Sequence, residues 1–309
     1  MSAAKLEIRR AMMYLSENLL LETHMGKVAI VTDSTAYVPA QAASQLPIEV
    51  IPLHLNWSGR NFDDGVNIQP EWFFNELKTA PELPKTSQIP VSEFCSLYKK
   101  LLDQGYEILS IHISSKISGT FEAAKSAVTE LAASSKIKIM DSMSGAAAQA
   151  FMVMQAAKAA YSGASLDDCL HEAEEVRGHS HIYFIPGSLE SLHRGGRIGG
   201  AAAWFGSLLN IHPILETRNG IIDAVEKVRT MSKAMTRVVD MLNVRVGDSQ
   251  NISLAGLYAD IPQLADQLVQ MTAQKIGAER VQESFTTTIS PVLGTHIGPG
   301  SVGIAFVYR

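Results

Sequence analysis

Tyr106-Glu107-Ile108-Leu109-Ser110-Ile111-His112-Ile113 leads straight into Ser114-Ser115-Lys116-Ile117-Ser118-Gly119-Thr120, and then into the run from Phe121 to Leu131. The first segment alternates and is β-prone, which predicts a strand. The last is Ala-rich and free of Gly and Pro, which predicts a helix. The middle is then a strand-to-helix turn, crowded with hydroxyls and carrying a single glycine. Such a turn directs free backbone N–H groups and the positive end of a helix at one point, a natural seat for an anion. Taken alone, the same residues are accounted for by a helix cap at Ser118 or Thr120. The choice between the two depends on what the rest of the chain brings to this spot.

With 309 residues the chain is too long for one ordinary core and has room for two domains. Hydrophobic content of 46% against 18% charged marks it as globular. A net charge of −5 with no long basic run argues against nucleic acid as a partner. Cys95 and Cys169 make neither a disulfide framework nor a zinc spacing, and they read as small hydrophobes in a reducing, cytoplasmic setting. No stretch approaches a bilayer-spanning length, which leaves room only for transient contact with a membrane surface. Over residues 1–26, Leu6, Ile8, Met12, Leu15, Leu19 and Leu20 recur at about helical spacing, predicting an amphipathic helix added to the body. That segment has neither the apolar centre nor the cleavage site of a signal peptide. Met25 is an alternative start.

Strands are expected at Lys27–Thr32, Ile48–Leu55, Tyr106–Ile113 and Lys136–Met140, with helices at Pro70–Leu77, Val91–Asp103, Phe121–Leu131, Gly145–Tyr161 and Leu166–Val176. Alternation of this kind implies right-handed crossovers and a mostly parallel sheet, with ligands beyond the carboxyl ends of its strands. Asp33-Ser34-Thr35, Ser114-Ser115 and Asp141-Ser142 end three of these strands and should gather along one edge. Lys85 to Pro90 reads as an exposed loop. The second half changes character after Val176 to His181. Arg218-Asn219-Gly220 between two apolar runs is a strong hairpin signal. Strands are expected at His181–Ile185, Ile252–Tyr258, Arg280–Thr288 and Val302–Tyr308, and helices at Ser188–His193, Ala201–Leu209, Ser232–Val244 and Ile261–Ile276. Ser290 to Thr295 reads as a turn that puts His296 in a loop. The whole predicts an α/β chain: a three-layer domain with a mostly parallel sheet over residues 27–178, then a two-layer α+β domain with a largely antiparallel sheet over residues 179–309.

Several chemistries can be weighed on residues. A serine hydrolase using Ser118 lacks a G-x-S-x-G elbow. Nucleotide motifs are absent, and Gly195-Gly196-Arg197-Ile198-Gly199-Gly200 follows a helix, so it reads as a basic, flexible link. Asp33 and Asp141 resemble a magnesium pair only loosely, because Thr35 stands where a D-x-D pair would have its second carboxylate. Carboxylates bonding backbone N–H groups explain them as well. A loop histidine at position 296 would donate to a bound oxygen, since histidine holds a proton near neutral pH.

Val31-Thr32-Asp33-Ser34-Thr35, Thr86-Ser87-Gln88, Ser114 to Thr120, Gly195-Gly196-Arg197-Ile198-Gly199, His212-Pro213-Ile214-Leu215 and His296-Ile297-Gly298-Pro299-Gly300 occur together in this order. From Lys27 to Arg309 the chain resembles the DegV family, the FakB-type fatty-acid-binding proteins. The resemblance implies one long-chain fatty acid held between the domains, with its carboxylate on Thr86, Ser118 and the Gly119 N–H. Arg197 and His296 would form a supporting network, with Ser87, Asp33 and Ser34 beside it. It implies no cofactor and no catalysis by this chain. The partner would be an ATP-dependent fatty acid kinase that phosphorylates the bound carboxylate, with an acyltransferase using the acyl phosphate for phospholipid synthesis. A stand-alone ester hydrolase and a non-catalytic fatty acid sensor are the alternatives. The sequence departs from the family's usual T-S-Q-P-S-P at Ile89-Pro90-Val91-Ser92, has His212 where a lysine is common, and has Tyr37 where an acidic residue is common.

Overall fold

A computed structural model describes residues 27–204 and 211–309. The expected helix over residues 1–26, and the end of the one expected from Ala201, lie outside the described residues. In chain order the strands are β1 (Lys27–Asp33), β2 (Ile48–Ile51), β3 (His54–Trp57), β4 (Arg60–Asp63), β5 (Lys85–Ser87), β6 (Tyr106–His112), β7 (Ile137–Asp141), β8 (Ser180–Ile185), β9 (His212–Arg218), β10 (Ile221–Val228), β11 (Ile252–Tyr258), β12 (Val281–Thr288) and β13 (Val302–Tyr308). The helices are α1 (Ala40–Gln45), α2 (Pro70–Leu77), α3 (Val91–Asp103), α4 (Thr120–Glu130), α5 (Ala146–Tyr161), α6 (Leu166–His179), α7 (Leu189–Arg194), α8 (Met231–Val246), α9 (Pro262–Ile276) and α10 (Pro291–Ile297).

The first sheet has the order β2-β1-β6-β7 and is parallel throughout. Helices α3 and α4 cover one face, and α5 and α6 the other. The chain leaves β1 toward β2 and later returns to its opposite side with β6. The crevice beyond the carboxyl ends of β1 and β6 is therefore the switch point, where open α/β sheets bind ligands. The turn from Ser114 to Gly119 lies there.

The second sheet has the order β10-β9-β8-β13-β11-β12 and is antiparallel except for the β11–β12 pair. Alternation sorts its residues by face. Tyr183, Ile304, Phe306 and Leu254 pack under α8 and α9. Ile182, Ala305 and Ala255 turn the other way, into a core shared with the first sheet. Helix α5 lies between the two sheets. That explains why Ala146 through Met154 are buried without a polar stripe: both sides of the helix meet protein.

Three local expectations are corrected. The strand expected over Ile48–Leu55 is broken at Pro52, which offers no N–H to a ladder. The chain turns there, and β3 starts a separate three-stranded sheet of order β4-β3-β5. Lys85 to Pro90 is exposed at Lys85, Ser87, Gln88 and Pro90 as expected, but Lys85–Ser87 is a strand paired with β3 and Ile89 is buried. His296 is not in a loop but in the last turn of α10, a helix whose start is capped by the Ser290 hydroxyl.

Candidate functional site

The turn after β6 faces a polar pocket of about 430 Å³ lined by Thr86, Ser87, Gln88, Ser118, Gly119, Arg197 and His296, with Leu53, Ile113, Ile117, Val292 and Leu293 beneath. Four separate segments converge here: β5 brings Thr86 and Ser87, the α4 start brings Ser118 and Gly119, the segment after α7 brings Arg197, and α10 brings His296. Gly119 is the N-cap of α4, and no side chain caps the helix there. Ser118 Oγ accepts the Thr120 N–H at 3.3 Å and pairs with Thr120 Oγ1 at 2.9 Å. The N-cap is thus neither Ser118 nor Thr120, which corrects the capping read from sequence; Ser118 closes a short turn onto Thr120 and lines the pocket. Gln88, quoted in the sequence only as part of a motif, lies so close over Gly119 that a Cβ there would meet its Oε1 at 1.7 Å.

Thr86 Oγ1 is 2.9 Å from His296 Nε2. Burial, and then the nearby Arg197 charge, push the His296 pKa down to about 4. The imidazole is thus neutral near pH 7, which corrects the expectation of a protonated donor. A neutral ring has one N–H. When that N–H is on Nε2, it donates to Thr86 Oγ1 and leaves the Thr86 O–H free to donate into the pocket. Nδ1 is buried without a hydrogen-bond partner among the described residues and packs on Gly195, where a Cβ would come within 2.2 Å of it. Arg197 donates from Nε to the Ile117 carbonyl at 3.1 Å and from Nη1 to the Gly195 carbonyl. Helix α10 is set by Gly294, whose missing side chain admits Phe73 and Phe74 of α2.

Asp33 and Ser34 do not reach this pocket. Asp33 is fully buried; its Oδ2 accepts the Ile113 N–H at 2.9 Å and faces His112 Nδ1 at 3.0 Å. Burial raises its pKa, but the bonds and charge of His112, with Thr35 and the Ile113 N–H, more than offset this and hold it below the usual carboxylate range. Ser34 Oγ donates to Asp64 at 2.7 Å and accepts the Leu53 N–H at 3.0 Å. Asp33 therefore holds the segment leading to Ser118, and Ser34 holds the small sheet carrying Thr86. Asp141 likewise turns inward, accepting the Ser115 and Met143 N–H groups.

Behind the polar pocket lies a cavity of about 690 Å³ whose wall is almost wholly apolar, including Ile182, Phe184, Ile222, Leu257, Ile289, Ile297 and Gly303. Ile113, Ile117, Arg197, Leu293 and His296 belong to both walls, so the two spaces adjoin. The register explains the hollow. Phe184, Gly303 and Leu257 stand side by side on β8, β13 and β11, and so do Ile182, Ala305 and Ala255. In these two rows the central strand carries only Gly303 and Ala305, which leaves a trough between larger neighbours. Alternation in Val302–Tyr308 marks Gly303 and Ala305 as one face in the sequence, but nothing in it says what that face meets.

A Ser-His-Asp chain does exist, though not at Ser118. Ser110 Oγ is 2.7 Å from His112 Nε2, and all three of Ser110, His112 and Asp33 are fully buried. The Tyr98 hydroxyl donates to Ser110 from the far side at 2.8 Å. Ser118 itself pairs with Thr120 and has no imidazole partner among the described residues.

The DegV family model, described as "Uncharacterised protein, DegV family", matches residues 27–309. The chain belongs to the DegV family. Protein DegV of Bacillus subtilis is 33% identical over 283 residues, covering 91% of this chain and 99% of the relative. A DegV domain-containing protein of Clostridium perfringens is 34% identical over 284 residues, covering 90% and 98%. Among solved structures, a Thermus thermophilus DegV protein described by its fatty acid binding superposes with a TM-score of 0.85 at 30% identity, covering 92% of this chain and 100% of that one. The Bacillus subtilis DegV crystal structure, described as a fatty acid binding protein, gives 0.82 at 33%, with the same coverages. The parallel sheet followed by a largely antiparallel one is thus the DegV fold.

Proposed function

We propose that this DegV protein binds a long-chain fatty acid between its two domains and presents the carboxylate to a partner ATP-dependent fatty acid kinase, which converts it to an acyl phosphate. The observation that carries the reading is the junction of a small polar pocket with a larger apolar cavity through shared walls. That division matches an amphiphile with one anionic head and a long apolar tail. The fatty acid binding described for the Thermus and Bacillus relatives supports it.

In this reading the carboxylate takes hydrogen bonds from Thr86, Ser118 and the Gly119 N–H, each contributing about 1.5–3 kcal/mol because the acceptor is charged. His296 orients Thr86, and Arg197 supplies positive charge beside it. Tail burial contributes about 0.8 kcal/mol per methylene before ordering costs, so it dominates affinity while the polar pocket fixes which end faces out. The chain has no phosphate-binding motif of its own, in keeping with a carrier whose chemistry is done by the kinase. The acyl phosphate would then pass to an acyltransferase of phospholipid synthesis. The test is mass spectrometry of solvent-extracted purified protein, followed by titration with palmitate and addition of a fatty acid kinase with ATP. Stoichiometric fatty acid and kinase-dependent acyl phosphate are expected. Failure to carry or take up any fatty acid would sink the reading. Binding without phosphorylation would leave a fatty acid sensor in its place.

A further inference from the structure

We infer that the tip of the β9–β10 hairpin is a clasp that positions the carboxylate seat, so that head-group binding and closure of the two domains are one linked event. The inference rests on the fatty acid reading above and adds positioning residues, Ser114 and Gly220, that touch no ligand atom.

Asn219 and Gly220 form a two-residue turn with φ of 51° and 81°, the left-handed pair that a tight hairpin needs. The tip does not project into water. The Ser114 hydroxyl, fully buried, donates to the Gly220 carbonyl at 2.7 Å, and Lys116 Nζ donates to the Asn219 carbonyl at 2.8 Å. Gly220 is fitted to this place: a Cβ would come within 2.6 Å of Ser114 Oγ and 3.2 Å of the Met143 methyl. Arg197 adds a bond to the Ile117 carbonyl at 3.1 Å. The C-terminal domain thus grips the turn at Ser114, Lys116 and Ile117, immediately before Ser118.

On the other side the turn is held at its start, through Ser114 N–H to the Ser144 carbonyl at 2.8 Å and Ser115 N–H to Asp141 at 3.3 Å, and at its end by the Ser118–Thr120 pair at 2.9 Å; Lys116 and Ile117 between them are where the hairpin and Arg197 take hold. The hairpin also walls the apolar cavity, because Thr217 and Ile222, paired across it, both line that space. One element therefore sets the head-group turn and encloses the tail. A ligand that needs both arrangements binds the clasped state preferentially, and by linkage it stabilises the clasp to the same extent.

The experiment measures palmitate affinity and release rate alongside hydrogen exchange of residues 217–222, in the wild type, Ser114→Ala, Lys116→Ala and Thr86→Ala. Palmitate is expected to slow exchange at the hairpin tip of the wild type. Ser114→Ala should weaken palmitate about tenfold, mainly through faster release, and abolish that slowing. Lys116→Ala, an exposed change that spares the fold, should do the same about threefold. Thr86→Ala should weaken binding yet keep the tip protected at saturating palmitate, an outcome that a general loss of stability would not produce. Wild-type binding with no change in tip exchange, or normal release from both Ser114→Ala and Lys116→Ala, overturns the clasp alone. A wild type that takes up no palmitate overturns the fatty acid reading and the clasp with it.

Discussion

The surroundings of two histidine–hydroxyl pairs among the described residues separate structure from function. His112 lies between Ser110 and Asp33, with Tyr98 closing the chain, and every member is sealed from solvent. Each polar atom on that line has a partner. His296 lies against Thr86, but its Nδ1 has none, and the pair opens on a cavity. The first arrangement resembles a catalytic triad in distances alone and lacks access to any substrate. The second resembles no catalytic motif and has the access. A site is recognised here by what the polar groups leave unsatisfied and by what they face.

The comparison breaks most readily at the buried pair. His112→Leu would remove the ring that bridges Ser110 and Asp33 and leave both buried groups short of a hydrogen-bond partner, a loss of about 1–3 kcal/mol for each. Denaturant unfolding should show this as a large fall in midpoint, while the molecules that still fold bind palmitate. Retention of full stability would mean that the buried chain is not structural. Thr86→Ala should do the reverse, weakening palmitate about tenfold to a hundredfold with little change in unfolding. Gly195→Ala comes next: its methyl would push the His296 ring off Thr86, so calorimetry should find weaker binding of a folded protein, and wild-type affinity would show that the ring has another way to sit.

Acid sharpens the comparison further. Burial holds both His296 and His181 down to about 4, with the charges of Arg197 and Arg245 respectively acting the same way. Unfolded histidine takes its proton near pH 6.5. Between these values the unfolded chain binds protons that the folded one does not, so stability is full above about pH 6.5 and is lost as pH falls toward 4. Asp64 opposes this, because burial raises its pKa to about 6 and the folded state then holds its proton first. With two histidines against one carboxyl, the thermal midpoint should decline from pH 7 to 4.5, and His296→Asn should flatten part of the decline. A midpoint that rose with acid would contradict the burial of these rings. The smallest effect is expected at Gly119→Ala, where the added methyl meets the free end of the Gln88 side chain; the amide can swing aside, and affinity should fall only a few-fold.

Much of the architecture was legible before folding. Helices Pro70–Leu77 and Val91–Asp103 and strands Ile252–Tyr258 and Val302–Tyr308 have the limits that periodicity and flanking Gly or Pro signalled. Pro52 was in plain view, yet the run from Ile48 to Leu55 read as continuous because apolar content outweighed one missing donor. Lys85–Ser87 read as a loop because its partner, β3, comes from elsewhere in the chain, and pairing is invisible to local propensity. The short helix carrying His296 was missed for a related reason: seven residues give too few turns for a periodic signal, and its place depends on Phe73 and Phe74 packing on Gly294.

The local chemistry of the Ser114–Thr120 turn was determined by sequence alone: a strand, a hydroxyl-rich reversal and a helix start, each set by residues within a few positions. Only the tertiary structure decided what that turn is for. Thr86 and His296, 210 residues apart, meet in one pocket, and Gly220 reaches Ser114 over 106. Contacts of that range depend on how two sheets pack around α5, and packing is a property of surfaces that no single stretch of chain possesses.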